Sequence, residues 1–191
     1  MTKSILLVGV GGQGTILASK ILTVGLMKAG FDIKMSEIHG MSQRGGSVSS
    51  HVRYGDRVHS PVIEEGGADI LVAFEKMEGL RWMTHLKPSG KAIINDYQID
   101  SMPILTGDFS YPKNVVQMIG EAVDTTVVDA AAQAELLGNS KVMNIILLGA
   151  LVKRMELENI DWHQIIKENV KPKFYALNLK AFEVGIGMVC V

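Results

Sequence analysis

The sequence predicts an α/β fold: a single domain over residues 1–191, in three layers, with a mixed, mainly parallel sheet, a Rossmann-like start and a helical C-terminal part. Three observations carry that reading. The chain opens on an apolar run that passes directly into a glycine-rich turn and a helix-patterned stretch. Strand-like and helix-like runs then alternate as far as residue 130, and the remainder has helical period.

Each element follows from its own residues. "SILLVGV", residues 4–10, reads as a buried strand, residues 13–29 as a helix closed by Gly30, and "DIKMSEI", residues 32–38, as a second strand. Residues 47–54 alternate, with Val48, Ser50, Val52 and Tyr54 on one face and Ser47, Ser49, His51 and Arg53 on the other, which predicts one buried and one polar face. Gly55-Asp56 is a hairpin-turn signal leading to a short segment that Pro61 stops, so the sheet is mixed. "ADILVAFE", residues 68–75, is a near-continuous apolar strand. A helix with Met77, Leu80, Met83 and Leu86 at helical spacing follows, then a "KPSG" turn and the strand "KAIIN". Residues 101–120 are rich in turn formers and predict an irregular stretch, before "DTTVVDA" offers a short strand. The last helices are "KVMNIILLGALVKRM", "WHQIIKENV" and "PKFYALNLKAFEVGIGM", the last starting at Pro172.

Composition excludes several classes. With 47% hydrophobic and 20% charged residues the chain is globular, not disordered. A net charge of -1 supplies no electrostatic surplus for nucleic acid or anionic lipid, so neither is expected as a partner. "IILLGALV", residues 145–152, falls far short of the about 18 apolar residues of a membrane span, and "MTKSILLVGVGG" reads as strand, not signal peptide. One cysteine, Cys190, allows no internal disulfide and no cluster built from this chain alone, and it fits a reducing, cytoplasmic compartment. Eleven methionines in so apolar a chain suggest a subunit that covers one face with a partner; an isolated chain could pair with itself through that face.

Two constellations could carry chemistry. "GVGGQG" places Gly9, Gly11 and Gly14 at the glycine positions of the dinucleotide fingerprint, between a strand and a helix whose unpaired amides favour an anion. Glu37, at the end of the second strand, stands near the spacing of a ribose-binding carboxylate, yet an alternating polar strand follows where a second crossover helix would be needed. In the second, "EIHGMSQRGGSVSSHVRYG", residues 37–55, glycines at 40, 45 and 46 accompany the donors His39, Ser42, Gln43 and Arg44, suited to a phosphate, a carboxylate or a partner's carbonyls. Both are expected at the carboxyl ends of adjacent parallel strands, facing one crevice. Of the five histidines, His39 and His51 could approach each other across this loop; His59, His85 and His163 read as structural or exposed, and no metal spacing is present.

Together these stretches resemble a known family. "GVGGQG" near the amino end, Glu37, Gly40, Ser42, Arg44, Gly45 and Gly46 in the order E-x-x-G-x-S-x-R-G-G, Ser60-Pro61 and "ADILVAFE" look like the gamma-type subunit or domain of 2-oxoacid:ferredoxin oxidoreductases. The likeness is strong over residues 4–100 and looser to the end through Asn144 to Gly149, and "HGMSQRGG" is most similar to the beta subunit of the indolepyruvate branch. The resemblance implies a smaller subunit, inactive alone, of an enzyme that oxidatively decarboxylates aryl pyruvates with coenzyme A, giving aryl-acetyl-coenzyme A, carbon dioxide and reduced ferredoxin. It further implies that thiamine diphosphate, magnesium and [4Fe-4S] clusters belong to a large alpha subunit. No catalytic residue is expected in this chain. Gly11, Gly12, Gln13, Gly14, Glu37, His39, Gly40, Ser42, Gln43, Arg44, Gly45 and Gly46 are expected to line a crevice for substrate, coenzyme A or the partner. The competing class is a free-standing Rossmann-type dinucleotide-binding protein or dehydrogenase.

Overall fold

The computed structural model describes residues 2–40 and 45–189. Among the described residues six strands form one sheet: β1 (Lys3–Val10), β2 (Asp32–His39), β3 (Ser47–Gly55), β4 (Ala68–Ala73), β5 (Leu86–Asn95) and β6 (Asp124–Val128), in the order β2-β3-β1-β4-β5-β6. The β1–β4, β4–β5 and β5–β6 pairs are parallel, while β3 runs antiparallel to both β1 and β2. This is the mixed, mainly parallel sheet the sequence predicts. One detail differs: β2 is not the neighbour of β1, because β3 is inserted between them.

Helices cover both faces. On one lie α1 (Thr15–Lys28), α5 (Ala130–Leu136), α6 (Met143–Arg154), α7 (Trp162–Asn169) and α8 (Tyr175–Gly187), packed on Ile5, Leu7, Val52, Ile70, Val72 and Ile93. On the other lie α2 (Lys76–Arg81) and α4 (Val115–Ala122), packed on Leu6, Val8, Leu71, Ala73, Ala92 and Ile94. Successive residues of one strand thus enter different cores, as the pleat requires. Local chemistry starts several helices: Asp129 caps α5 by accepting from the Ala132 amide at 3.0 Å, and Asp161 caps α7 through the Gln164 amide at 3.1 Å. The short α3 (Met102–Leu105) carries Pro103 in its first turn and interrupts the stretch read as irregular.

α6 is buried along nearly its whole length, with Ile145 through Val152 under the other elements. It packs on α8 backbone to backbone. A Cβ added at Gly185 would lie 1.9 Å from the Ile146 carbonyl oxygen, and one at Gly149 would lie 2.2 Å from that of Phe182. Only glycine at both positions permits this approach.

Three local expectations need correction. The helix expected to run to Leu86 stops at Arg81; a short 3-10 turn at Met83–His85 follows, and Leu86 already belongs to β5. "KPSG" lies inside β5, where the register against β4 shifts between Ala68 and Ile70 and so absorbs the extra residues. Gly55-Asp56 begins no hairpin. The chain after it crosses back over β3 as a strap, anchored where the Val58 amide donates to Asp32 at 2.7 Å and Arg53 donates to the carbonyls of Ser60 (3.3 Å) and Val62 (3.1 Å).

The strap overturns the expected polar face of β3. Ser49 and His51 are 1% and 4% exposed beneath it, with the Ile63 amide donating to His51 Nδ1 at 3.2 Å. That bond requires a neutral ring. The Trp82 ring meets His51 edge-on at 6.0 Å and lies tilted against His85 at 4.7 Å. Burial, with a smaller contribution from His85, pushes the His51 pKa below its ordinary value.

Two predictions follow from packing. Gly185→Ala should lower the stability of the chain by about 3 kcal/mol or more, because the added methyl overlaps backbone, which cannot give way as a side chain can; an unaltered urea midpoint would contradict the contact. For His51, the folded chain binds fewer protons than the unfolded one, so its contribution is fully present above the unfolded value near 6.5 and is lost as pH falls through the lowered folded pKa. Stability measured from pH 7.5 to pH 5 should therefore fall more steeply in the natural chain than in His51→Gln. Equal slopes would remove the assignment.

Candidate functional site

Helix α1 leaves β1 toward one face of the sheet and α2 leaves β4 toward the other, although β1 and β4 are parallel neighbours. The chain therefore opens a crevice beyond the carboxyl ends of these strands, where open α/β sheets bind their ligands. The glycine-rich turn sits in that crevice. Gly14 is the N-cap of α1 in the left-handed region, with φ 81°, and a Cβ there would stand 2.5 Å from the Asn144 amide nitrogen. Asn144 donates to the Gly14 carbonyl at 3.1 Å, which ties the turn to buried α6.

The two constellations read from the sequence meet directly. The Gly11 amide donates to the Gly46 carbonyl at 2.8 Å, and the Gly45 amide approaches the Gly11 carbonyl at 3.5 Å. They meet because β3 extends its ladder beside β1, with Val10 opposite Ser47 and Gly9 opposite Val48. The expected cause, adjacency of β1 and β2, is not the real one: β2 ends at the same edge because it runs antiparallel to β3, one strand farther out.

The predicted site residues divide into groups. Gly11, Gly12, Gln13 and Gly14 line an open cleft of about 550 Å³, closed opposite by Tyr97, Ile99, Ala131, Lys141 and Met143. Gln13 lines the cleft but turns its amide inward: Oε1 accepts from the Val10 amide at 2.7 Å and Nε2 donates to the Phe74 carbonyl at 2.9 Å. Glu37 faces α1, where it accepts a hydrogen bond from Ser19 Oγ at 3.0 Å. A carboxylate so placed, two strands from β1, does not form the ribose site of a dinucleotide fold. His39 and Gly40 are exposed at the end of β2. His39 pairs with Val48 while His51 pairs with Ser36, so the two histidines do not converge. Gly45 and Gly46 flank the glycine turn as described, whereas Ser42, Gln43 and Arg44 lie outside the described residues.

Sequence reasoning missed the second wall of the crevice. Asn95, wholly buried at the end of β5, donates to the Phe74 carbonyl at 3.1 Å beside Gln13, and accepts from the Ala130 amide at 3.0 Å. Glu75, the last residue of "ADILVAFE", accepts a 2.5 Å hydrogen bond from the Tyr111 hydroxyl. Burial, and then that carboxylate, hold the Tyr111 hydroxyl protonated by raising its pKa far above the usual phenol range. A smaller cavity of about 170 Å³ lies between Gly45, Ser47, Glu78, Ile99, Ile104 and Tyr111. A carboxylate directly after an apolar strand was the available signal, since that position opens the crevice in any parallel sheet. Among the described residues no group of three or more His, Cys, Asp or Glu side chains could hold a metal ion, and no helix is long and apolar enough to cross a membrane.

The sequence and the fold have known counterparts. The chain is 37% identical to indolepyruvate oxidoreductase subunit IorB of Archaeoglobus fulgidus, over 97% of this chain and 94% of that protein. It is 34% identical to the subunit of the same name from Pyrococcus horikoshii, over 96% and 94%. Among solved structures, the gamma subunit of a keto/oxoacid ferredoxin oxidoreductase from Geobacter sulfurreducens superposes with a TM-score of 0.71 at 25% identity, covering 97% of each chain. Pyruvate oxidoreductase subunit PORC of Thermotoga maritima shares the fold with a TM-score of 0.76 at 21% identity, over 97% of this chain and 96% of that one. The family model described as pyruvate ferredoxin/flavodoxin oxidoreductase matches residues 4–188, from the first strand to the end of the last helix, and the chain belongs to that family.

Proposed function

We propose that this chain is the beta subunit of an indolepyruvate:ferredoxin oxidoreductase, the smaller part of an enzyme that converts aryl pyruvates and coenzyme A to aryl-acetyl-coenzyme A, carbon dioxide and reduced ferredoxin. The observation that carries the reading is the similarity to indolepyruvate oxidoreductase subunits over nearly the whole length of both chains. Free-standing dinucleotide binding is not favoured, because Glu37 is bonded to Ser19 and β3 occupies the strand position that a dinucleotide fold needs for its ribose site.

Thiamine diphosphate, magnesium and the [4Fe-4S] clusters are assigned to the large alpha subunit, since a single cysteine cannot hold a cluster. When bound there, they supply the decarboxylation and the electron transfer. This chain binds, orients and shields. The glycine turn, with the first amides of α1 behind it, and Gly45-Gly46 beside it form one face of the crevice over the reacting groups. Backbone amides and the Arg44 guanidinium suit the phosphates of coenzyme A or the carboxylate of a 2-oxoacid. Closing that crevice against the partner excludes water from the reacting centre.

A docked partner is supported by surface chemistry. Met102, Leu105 and Phe109, beside the crevice, are 69%, 65% and 71% exposed. A cluster of exposed large apolar side chains bordering a polar crevice marks a protein contact. We assign the complex to the cytoplasm, in keeping with the reducing setting that one cysteine suggests.

Co-expression with the large subunit should yield a stable complex that reduces ferredoxin with indolepyruvate and coenzyme A, whereas the chain alone should be inactive. In that complex, Arg44→Ala should reduce turnover or coenzyme A use about tenfold or more, the value of one charge-assisted hydrogen bond, without shifting the melting temperature of this subunit. Unaltered kinetics would exclude Arg44 from the site. Micromolar binding of NAD or NADP by the isolated chain, measured by titration calorimetry, would restore the dinucleotide reading instead.

A further inference from the structure

Helix α2 starts directly beneath the crevice, and its first turn carries two carboxylates withdrawn from water: Glu75 is 1% exposed and Glu78 4%. Burying charge is costly, so such groups need partners. Both have them, on opposite walls. Glu75 accepts from the Tyr111 hydroxyl and from the Ile99 amide at 3.3 Å, which ties the segment after β5 to the start of α2, and it caps the helix through the Glu78 amide at 2.9 Å. Glu78 reaches the other way. It accepts a hydrogen bond from Ser47 Oγ and pairs with Arg81 at 3.1 Å. Ser47 opens β3 immediately after Gly46, the residue whose carbonyl receives the Gly11 amide.

One short turn of helix therefore holds both walls of the crevice by its two carboxylates. An apolar side chain at position 78 would border Val10, Ile99 and Ile104 with no charge to desolvate. What the carboxylate adds is a fixed direction for Ser47. We propose that Glu78, acting through Ser47, is a positioning residue: it sets how Gly46, the residue before Ser47, stands against the glycine turn, and so the shape in which the crevice meets its ligand. Glu75 holds the facing wall in the same manner. This inference rests on the reading of the crevice as the contact site for substrate or coenzyme A.

The test separates the clamp from that reading. In the full isolated chain, Glu78→Ala and Ser47→Ala should each accelerate hydrogen exchange of the Gly11 amide about tenfold, and the double variant no further, while Leu147 in α6 exchanges as before. In the reconstituted complex, Glu78→Ala should raise KM for coenzyme A or the 2-oxoacid about fivefold with kcat held within about twofold. Glu78→Gln, which keeps an acceptor oxygen for Ser47, should recover most of that loss. Gly11 exchange unchanged in both single variants overturns the proposal, as does parallel acceleration at Leu147, which marks general destabilisation, or an unaltered KM. A natural complex inactive toward aryl pyruvates would defeat the subunit reading instead, and Gly11 exchange alone would then decide the clamp.

Discussion

The hydrogen bond from the Gly11 amide to the Gly46 carbonyl is the interaction on which the site depends. It adds one more backbone link beyond the last β1–β3 pair, Val10 with Ser47, and exists only because β3 enters the sheet antiparallel between β1 and β2. Three consequences follow from that insertion. It brings Gly45 and Gly46 against a glycine-rich turn, it moves Glu37 away from the crevice, and it leaves β3 with two buried faces. The strap over Ser49 and His51 answers the last of these by supplying a backbone donor to the His51 ring.

Around that link, paired polar groups hold the ends of the strands together. The Phe74 carbonyl receives both Gln13 and Asn95, so the ends of β1, β4 and β5 are drawn to one oxygen, and Asn95 passes the connection on to the start of α5. A carbonyl oxygen has two lone pairs, and here both are occupied. The turn is thus tied down at its base, and its own Gly11 and Gln13 amides are engaged by the Gly46 and Val10 carbonyls. The apolar cores on either side, joined through Gly149 and Gly185 on one of them, hold this framework in place.

Much of the fold was legible because its signals are local. The apolar runs of β1 and β4, the period of α6 and α8 and the turn at Gly11–Gly14 each follow from neighbouring residues. Where the reading failed, the deciding partner lay far along the chain. The polar face of β3 looked solvated because nothing near Ser49 or His51 in sequence announces a strap that begins after Gly55. Gln13 lines the cleft, and nothing near it in sequence announces that its amide bonds the Phe74 carbonyl, 61 residues later. Glu75 and Tyr111, 36 residues apart, showed no sign of meeting.

By itself the sequence determined the class of fold, the place of the glycine turn between strand and helix, and the loop that separates this chain from a dinucleotide-binding protein. These rest on backbone freedom and hydrophobic period, which short stretches encode. Only the tertiary structure decided which strand lies beside β1, that two motifs some thirty residues apart share a hydrogen bond, and that a buried pair of carboxylates stands under both walls of the crevice. Strand order and buried polar pairing are settled by the whole sheet at once, because each depends on which distant residues remove a group from water and which satisfy it there.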